Sequence, residues 1–332
     1  MTRKGIVCSA SPLAASAGLG VLQRGGNAFD AAIAVAAAES VTLPPMCGIG
    51  GEVFALLYQA STGKLYGITG SGRAPEMASR DYFLSQGYER MPSFGPLTPA
   101  IPGEVDAWRT IWEKFCSQSF STLLEPAIDL AENGFPIAPR ISAFYKTSIH
   151  KLRSYSSTSA TLTRDGDPFN EGDILVQPNL ARSLKSIEKN GFREFYEGEL
   201  AARLVAAVQA EGGLFTLDDL ADHDSVVYEN PPSVTYRGHT VVTNSLPSQG
   251  LLILQLLNIM EGFDLKRMGH NSPDAIHALV EAKKLVFADR LAYVGDPEFV
   301  SSPIKDLLSK SFADGRREKI AMQKASAAMK AG

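Results

Sequence analysis

Cys47 stands directly before Gly48-Ile49-Gly50-Gly51, a place where a thiol nucleophile can sit beside backbone N–H donors. That chemistry needs a positioned histidine, and His150, His223, His239, His270 and His277 show no arrangement that singles out a base. Cys47 is therefore read as a small buried residue at a tight turn and kept out of the catalytic set. The same glycines invite a phosphate-loop reading, but Val53 stands where a dinucleotide fingerprint has its third glycine, and the run leads into a strand, not a helix. They are expected to allow close backbone packing or a bend beside a site. Thr2 would become N-terminal if Met1 were removed, its own amine serving as base. Its charged surroundings at a chain end, with nothing to hold it in a sheet, favour an ordinary start. Asp218, Asp219, Asp222 and Asp224 lack a metal-loop spacing and are expected at helix caps and solvated turns, so no metal or cofactor is implied.

Arg73 lies in Gly70-Ser71-Gly72-Arg73-Ala74-Pro75, just after an apolar run expected to be a buried strand. Glycines there let a ligand approach the backbone, and a guanidinium can grip a substrate carboxylate in a bidentate pair. A structural salt bridge is the competing role, and the residues alone do not choose between the two.

These groups need a scaffold, and the composition supplies one. The chain has 332 residues, 45% of them hydrophobic and 20% charged, enough for a sizeable core and incompatible with disorder. Lys+Arg at 32 against Asp+Glu at 36, with no long basic run, leaves no electrostatic footprint for nucleic acid. Cys8, Cys47 and Cys116 are too few for a disulfide framework and suit a reducing compartment. No apolar run approaches the roughly 20 residues of a membrane span. The start of the chain carries no export signal, so a cytoplasmic location is expected.

Gly5 to Ser9 reads as a strand, followed after Ser11-Pro12 by a helix through Leu22 that stops at Gly25-Gly26. Asn27 can cap, with Asp30 three residues on, and the helix from Ala28 to about Val41 is apolar all round and must be buried. Val53 to Tyr58 and Leu65 to Thr69 form an expected β-hairpin, its first strand covered on both faces because its polarity does not alternate. Pro102 to Ala138 is mostly helical, with Glu104 near a helix start. The stretch Ser154 to Asp167 is expected to be an exposed loop. Helices follow around Leu180 to Gly191 and Gly198 to Gly212, then a second hairpin of Ser233 to Arg237 and Thr240 to Thr243. An apolar helix after Gly250 stops at Gly262. The clearest helix starts at Pro273, with Ser272 as cap and Ile276, Val280, Phe287, Leu291 and Val294 on one face. The basic tail after Arg316 is expected to be helical.

Taken together, the chain resembles the large subunit of the γ-glutamyltransferase (γ-glutamyltranspeptidase) superfamily of N-terminal-nucleophile hydrolases. The resemblance rests on Gly25-Gly26-Asn27-Ala28-Phe29-Asp30-Ala31-Ala32, Gly48-Ile49-Gly50-Gly51, Ala74-Pro75 followed by Arg80-Asp81, and Pro102-Gly103-Glu104-Val105. Glu125-Pro126-Ala127, Tyr236-Arg237-Gly238, Pro247-Ser248-Gln249-Gly250, Ala288-Asp289-Arg290 and Gly295-Asp296-Pro297 complete it, all in one order over nearly the whole chain. It implies an α+β fold, a four-layer αββα sandwich, with residues 1–332 as a single domain completed by a separate small subunit. It also implies a precursor that cleaves itself, with Gly332 standing about where the cut would fall. The nucleophile would then be the first Thr of the small subunit, acting through an acyl-enzyme, so no catalytic residue is expected in this chain.

True transferases of the family carry Arg-Glu-Met-Ala-Pro, whose arginine binds the substrate α-carboxylate. Alignment on Ala74-Pro75 puts Ser71 at that arginine, and Arg73 two residues later, on the same face of an extended segment. Glu52 likewise replaces a glycine. Both departures resemble the acylase and oxamate-amidohydrolase branch. The implied function is an amidohydrolase for a small carboxylate-bearing amide, oxamate-like or glutaryl-amide-like, with Arg73, Ser71 and Gly72 binding substrate. The partner is the small subunit, and a dimer of such heterodimers is a further expectation. A γ-glutamyltransferase or glutathione hydrolase is the alternative, and a scaffold or binding protein that cannot process itself is the alternative of another class.

Overall fold

Asn27 decides where the first long buried helix begins. Its side-chain oxygen accepts from the N–H groups of Phe29 (2.8 Å) and Asp30 (2.9 Å), and the Asp30 carboxylate accepts from the Asn27 N–H at 2.7 Å. This reciprocal cap opens the helix Ala28–Thr42, as the Asn-x-x-Asp spacing predicts. The computed structural model describes residues 5–332, so Thr2 lies outside the described residues. Two compact units are present, one of Met1–Val53 and Gly70–Ser225, the other of Phe54–Thr69 and Val226–Gly332.

In the first unit, Ala28–Thr42 packs against the helices Pro12–Gln23, Glu104–Phe115 and Phe120–Asn133. Small residues permit the close approach: a Cβ on Gly18 would stand 2.5 Å from a methyl of Val35. The helix Pro178–Asn190 packs on the far side of Phe120–Asn133, closing a core around Trp108, Leu123, Leu124, Leu184 and Ile187. Two expectations fail here. Gly5 to Ser9 is not assigned as a strand, a state that takes a ladder of hydrogen bonds and not composition alone. The segment is tied instead by the Ser9 hydroxyl (2.6 Å) and Ala10 N–H (3.2 Å), both donating to Glu39. Within Ser154 to Asp167, the helix Ser156–Leu162 replaces the expected open loop. There the hydroxyls of Thr161 and Thr163 bond carbonyls four residues back and so stay compatible with helical backbone.

The second unit holds both expected hairpins. Val53–Gln59 bonds to Lys64–Gly70, which pairs antiparallel with Val226–Glu229 in the register Tyr66↔Glu229 to Thr69↔Val226, a third strand that the sequence pattern did not single out. Ser233–Tyr236 pairs with His239–Val242 across Arg237-Gly238, both at positive φ (49° and 83°), the two-residue turn that matches strand twist. Within this chain the first strand is covered on one face, with Phe54, Leu56 and Tyr58 alternating outward and exposed.

The helix Pro273–Tyr293 starts as expected, with the Ser272 hydroxyl accepting from Ala275 N–H. Its buried stripe, however, is Ala278, Ala282, Leu285 and Val286 against Gly250–Met260 and Lys310–Arg317, while Ile276, Val280, Phe287 and Leu291 are exposed. The expected apolar face therefore points away from the core of this unit, and the inner face is built from Ala278 and Ala282 together with the larger Leu285 and Val286. The tail after Arg316 is not a continued helix: Lys310–Arg317 ends, and the following residues lie along Pro273–Tyr293 as a strap. Ser326 N–H donates to Glu281 (3.1 Å), Lys284 to Ser326 O (2.8 Å), and Gly332 N–H to Asp289 (2.9 Å). These polar groups on one helix capture the tail backbone that a helix would have satisfied internally. Among the described residues, no helix is long and apolar enough to cross a membrane.

Candidate substrate-binding site

Four glycines bring the Arg73 loop against the start of the helix Glu104–Phe115. That helix has Gly103 at its cap position, with no side-chain cap bond. The orphan N–H groups of Gly103 and Glu104 donate instead to the carbonyl of Gly51, each at 3.0 Å, so the Gly48–Gly51 run acts as the cap. Gly103 and Gly70 touch backbone to backbone, since a Cβ on Gly103 would lie 2.2 Å from the Gly70 carbonyl. Gly72 is tighter still, its absent Cβ falling 1.6 Å from the Ile101 carbonyl. Next to it, Ile101 N–H donates to Arg73 O at 2.9 Å. The loop backbone is thereby clamped, Ser71 and Gly72 are half-buried, and the Arg73 side chain is exposed.

Behind this platform lie groups that the sequence did not mark. Glu104, only 6% exposed, sits against Gly51, and burial together with the nearby Glu39 carboxylate pushes its pKa up to about 8. Glu104 is thus a neutral acid at pH 7. The unfolded chain releases that proton near pH 4.5, so the native state holds one proton more between there and about pH 8, and stability declines as pH rises through that window. Glu104→Gln is expected to flatten this slope and raise the Tm at pH 8 while changing it little at pH 5, as thermal melts at the two pH values would read.

Cys47 shares the neighbourhood. Burial, Glu39 and Glu104 all push its thiol pKa up, which holds it protonated and removes the thiolate that a nucleophile requires. His223, also 6% exposed, stacks on Tyr196 with centroids 5.5 Å apart and planes at 18°. The Tyr196 hydroxyl donates to Pro102 O and accepts from Asp106 N–H, both at 3.0 Å. Asp106 accepts from Arg109 Nε (2.8 Å) and Ser225 N–H (2.6 Å), and these bonds outweigh its burial to keep its carboxyl below the usual range. The structure therefore brings Ser71, Gly72 and Arg73 together with Gly51, Gly103 and Glu104, with His223 packed behind.

Glu104 and His223 were missed because their signal is burial, which a helix start and a lone histidine do not reveal. The acid cluster has local duties. Asp219 accepts from Thr216 N–H and Glu76 N–H, each at 2.9 Å, capping Leu217–Ala221, and Asp224 pairs with Arg109 at 3.2 Å. No group of three or more His, Cys, Asp or Glu side chains suited to a metal occurs among the described residues.

The arrangement is a backbone-built platform from which the exposed Arg73 side chain extends, a group chemically able to pair with a carboxylate. Comparison with known proteins agrees with the motifs that shape it. The chain is 36% identical over 328 residues to the glutathione hydrolase proenzyme of Escherichia coli strain K12, covering 97% of this chain and 56% of that protein. It is 35% identical over 332 residues to the acylase ACY 1 proenzyme of Pseudomonas sp. strain V22, covering 97% of this chain and 59% of that protein. The chain thus spans little more than half the length of these curated relatives. The crystal structure of Helicobacter pylori gamma-glutamyltranspeptidase superposes with a TM-score of 0.94 at 33% identity, covering 98% of this chain and 95% of that one. The model of the gamma-glutamyltranspeptidase family matches residues 14–331. With the match running through the Gly48–Gly51 cap, the Arg73 loop and the Glu104 helix alike, the chain belongs to the gamma-glutamyltranspeptidase family.

Proposed function

We propose that this chain is the large subunit of a heterodimeric amidohydrolase that cleaves a small carboxylate-bearing amide, oxamate-like or glutaryl-amide-like, with Arg73 holding the carboxylate and Ser71 and Gly72 lining it. The observation that carries the reading is a loop backbone clamped on Ile101 that leaves the Arg73 side chain exposed. The clamp fixes the backbone from which the guanidinium extends, and the planar guanidinium can pair with a carboxylate through two parallel hydrogen bonds. The nucleophile is the N-terminal Thr of a small subunit cut from the same precursor. Its amine takes the hydroxyl proton, the oxygen attacks the amide carbonyl, the leaving amine carries the proton away, and water releases the acid from the ester. Residues 1–332 are then one domain of a four-layer αββα sandwich. Supporting this reading are the proenzyme names of the relatives and the outward apolar row of Phe54, Leu56 and Tyr58, a sheet face suited to cover by further strands.

A glutathione hydrolase or γ-glutamyltransferase is the second reading, favoured by the name of the Escherichia coli relative. Intact-mass measurement and N-terminal sequencing of the purified protein test the common part: a companion chain beginning with Thr is expected, and a lone folded monomer would overturn it. Oxamate and glutaryl amides assayed against a γ-glutamyl anilide then separate the two substrates, faster turnover of the anilide deciding for the second reading.

A further inference from the structure

Tyr236-Arg237-Gly238 has no part in the substrate reading, yet Arg237 stands at φ 49°, a turn position that Asn, Asp or Gly usually fills. Its backbone is held there by Glu261, which accepts from the Arg237 N–H at 2.8 Å. The guanidinium is held as well: one Nη donates to Phe263 O at 2.9 Å, and Cζ lies 5.2 Å from the centroid of the Tyr236 ring. Phe263 O is the one hydrogen-bond acceptor of this side chain among the described residues, and it is uncharged. The Glu261 carboxylate itself pairs with Lys310. Tyr236 and Arg237 border a cavity of about 640 Å³ in the second unit. Its floor includes Leu256, Met260 and Leu265, which pack in the core of that unit. Ile276 and Leu279 wall it and are about half exposed. Lys266 and His270 line it too, both exposed. Among the described residues no Asp or Glu lines the cavity, and neither Arg237, Lys266 nor His270 has an ion-pair partner.

We propose that this cavity binds a free amphipathic carboxylate, its aliphatic tail against Leu256, Met260, Leu265, Ile276 and Leu279 and its head group on Arg237 and Lys266. A concave site of this size with an apolar floor and a few polar groups is the usual form of a small-molecule site, and cations without acids select an anion. The tail removes the exposed parts of Ile276 and Leu279 from water. The head group meets a guanidinium already fixed by Phe263 O and the Tyr236 ring, whose other N–H donors the protein leaves unused. Lys266 adds a point charge beside it. Binding makes and breaks no covalent bond, and none of these residues belongs to the Arg73 loop, so the proposal stands apart from the substrate reading.

Decanoate is the probe, titrated by calorimetry into the purified protein with any companion chain retained. Saturable one-site binding is expected. Hexanoate, four methylenes shorter, should bind at least about tenfold more weakly, and decanol, which lacks the charge, about tenfold more weakly. R237Q is expected to weaken decanoate binding about tenfold and K266Q about threefold. I276E sets a carboxylate on the cavity wall and should abolish binding. Thermal melting verifies that each variant is folded, and K266Q and I276E change exposed side chains, so the test survives if R237Q loosens the turn. No binding of decanoate by the parent protein, or binding unchanged in both K266Q and I276E, overturns the proposal. Equal affinity for decanol and decanoate leaves the cations without a role and overturns it too. Binding to phosphatidylglycerol vesicles without binding of free decanoate would assign the surface to a membrane and overturn it likewise.

Discussion

Replacing Arg73 by Ala is expected to lower kcat/KM for an acidic amide by at least about tenfold, leaving turnover of an uncharged analogue nearly unchanged. A charge-assisted pair between guanidinium and carboxylate is worth about 1.5 to 3 kcal/mol, and about 1.4 kcal/mol is a factor of ten in rate. The selectivity of the loss matters more than its size. The Arg73 backbone, bonded to Ile101 through its carbonyl, persists in the variant, so a general collapse of the loop is not expected. Steady-state kinetics on the paired substrates read the outcome, and equal losses on both would point to a structural salt bridge as the role of Arg73. Arg73→Lys should recover only part of the activity, since an ammonium keeps the charge and loses the bidentate fork.

The largest effect on stability is expected at Asp30. Its carboxylate is fully buried and accepts four hydrogen bonds: from Asn27 N–H (2.7 Å), Ser117 N–H (2.9 Å), the Ser117 hydroxyl (2.6 Å) and Gln118 N–H (3.0 Å). It therefore joins the start of Ala28–Thr42 to the chain that leaves Glu104–Phe115. Asp30→Ala strands several of those donors and breaks the reciprocal cap, at a cost of about 3 kcal/mol or more, readable as a shift in the denaturant midpoint. Burial by itself would raise the Asp30 pKa, but the Ser117 hydroxyl and the three backbone N–H groups prevail and hold it below 3.8. The folded pKa is depressed, so this stabilisation is complete above about pH 4 and is lost as pH falls through the folded value. Acid unfolding of the variant should accordingly show a shallower dependence below pH 4 than that of the parent.

Much of the local structure was legible because its causes are local. Asn27 with Asp30 and Ser272 before Pro273 each carry their geometry within a few residues and form as expected, and the second hairpin also forms, with its turn at Arg237-Gly238 whereas the pattern puts it at Gly238-His239. The errors share another cause. Gly5 to Ser9 has the composition of a strand but is not assigned to one, since composition does not fix which segment lies alongside. Ile276, Val280, Phe287 and Leu291 share a helix face and are apolar, but the buried face is that of Ala278, Ala282, Leu285 and Val286. Periodicity reports that a face is apolar and is silent on which neighbour covers it.

For the site, residue types and spacing by themselves determined the candidate loop: Ser71, Gly72 and Arg73 after an apolar strand, with the arginine two residues beyond its place in related transferases. They also determined the family, through many short motifs in one order. Only the tertiary structure decided that Gly51 caps the Glu104 helix, that Gly72 is glycine because Ile101 occupies the space of its Cβ, and that Glu104 and His223 are buried behind the loop. The physical reason is that a side chain's chemistry is inherited from its type, whereas its protonation and its reach depend on desolvation and on charges brought near by chain segments distant in sequence. Glu104 answers to Glu39, and His223 to Arg73 and Arg193, across separations that no local pattern encodes.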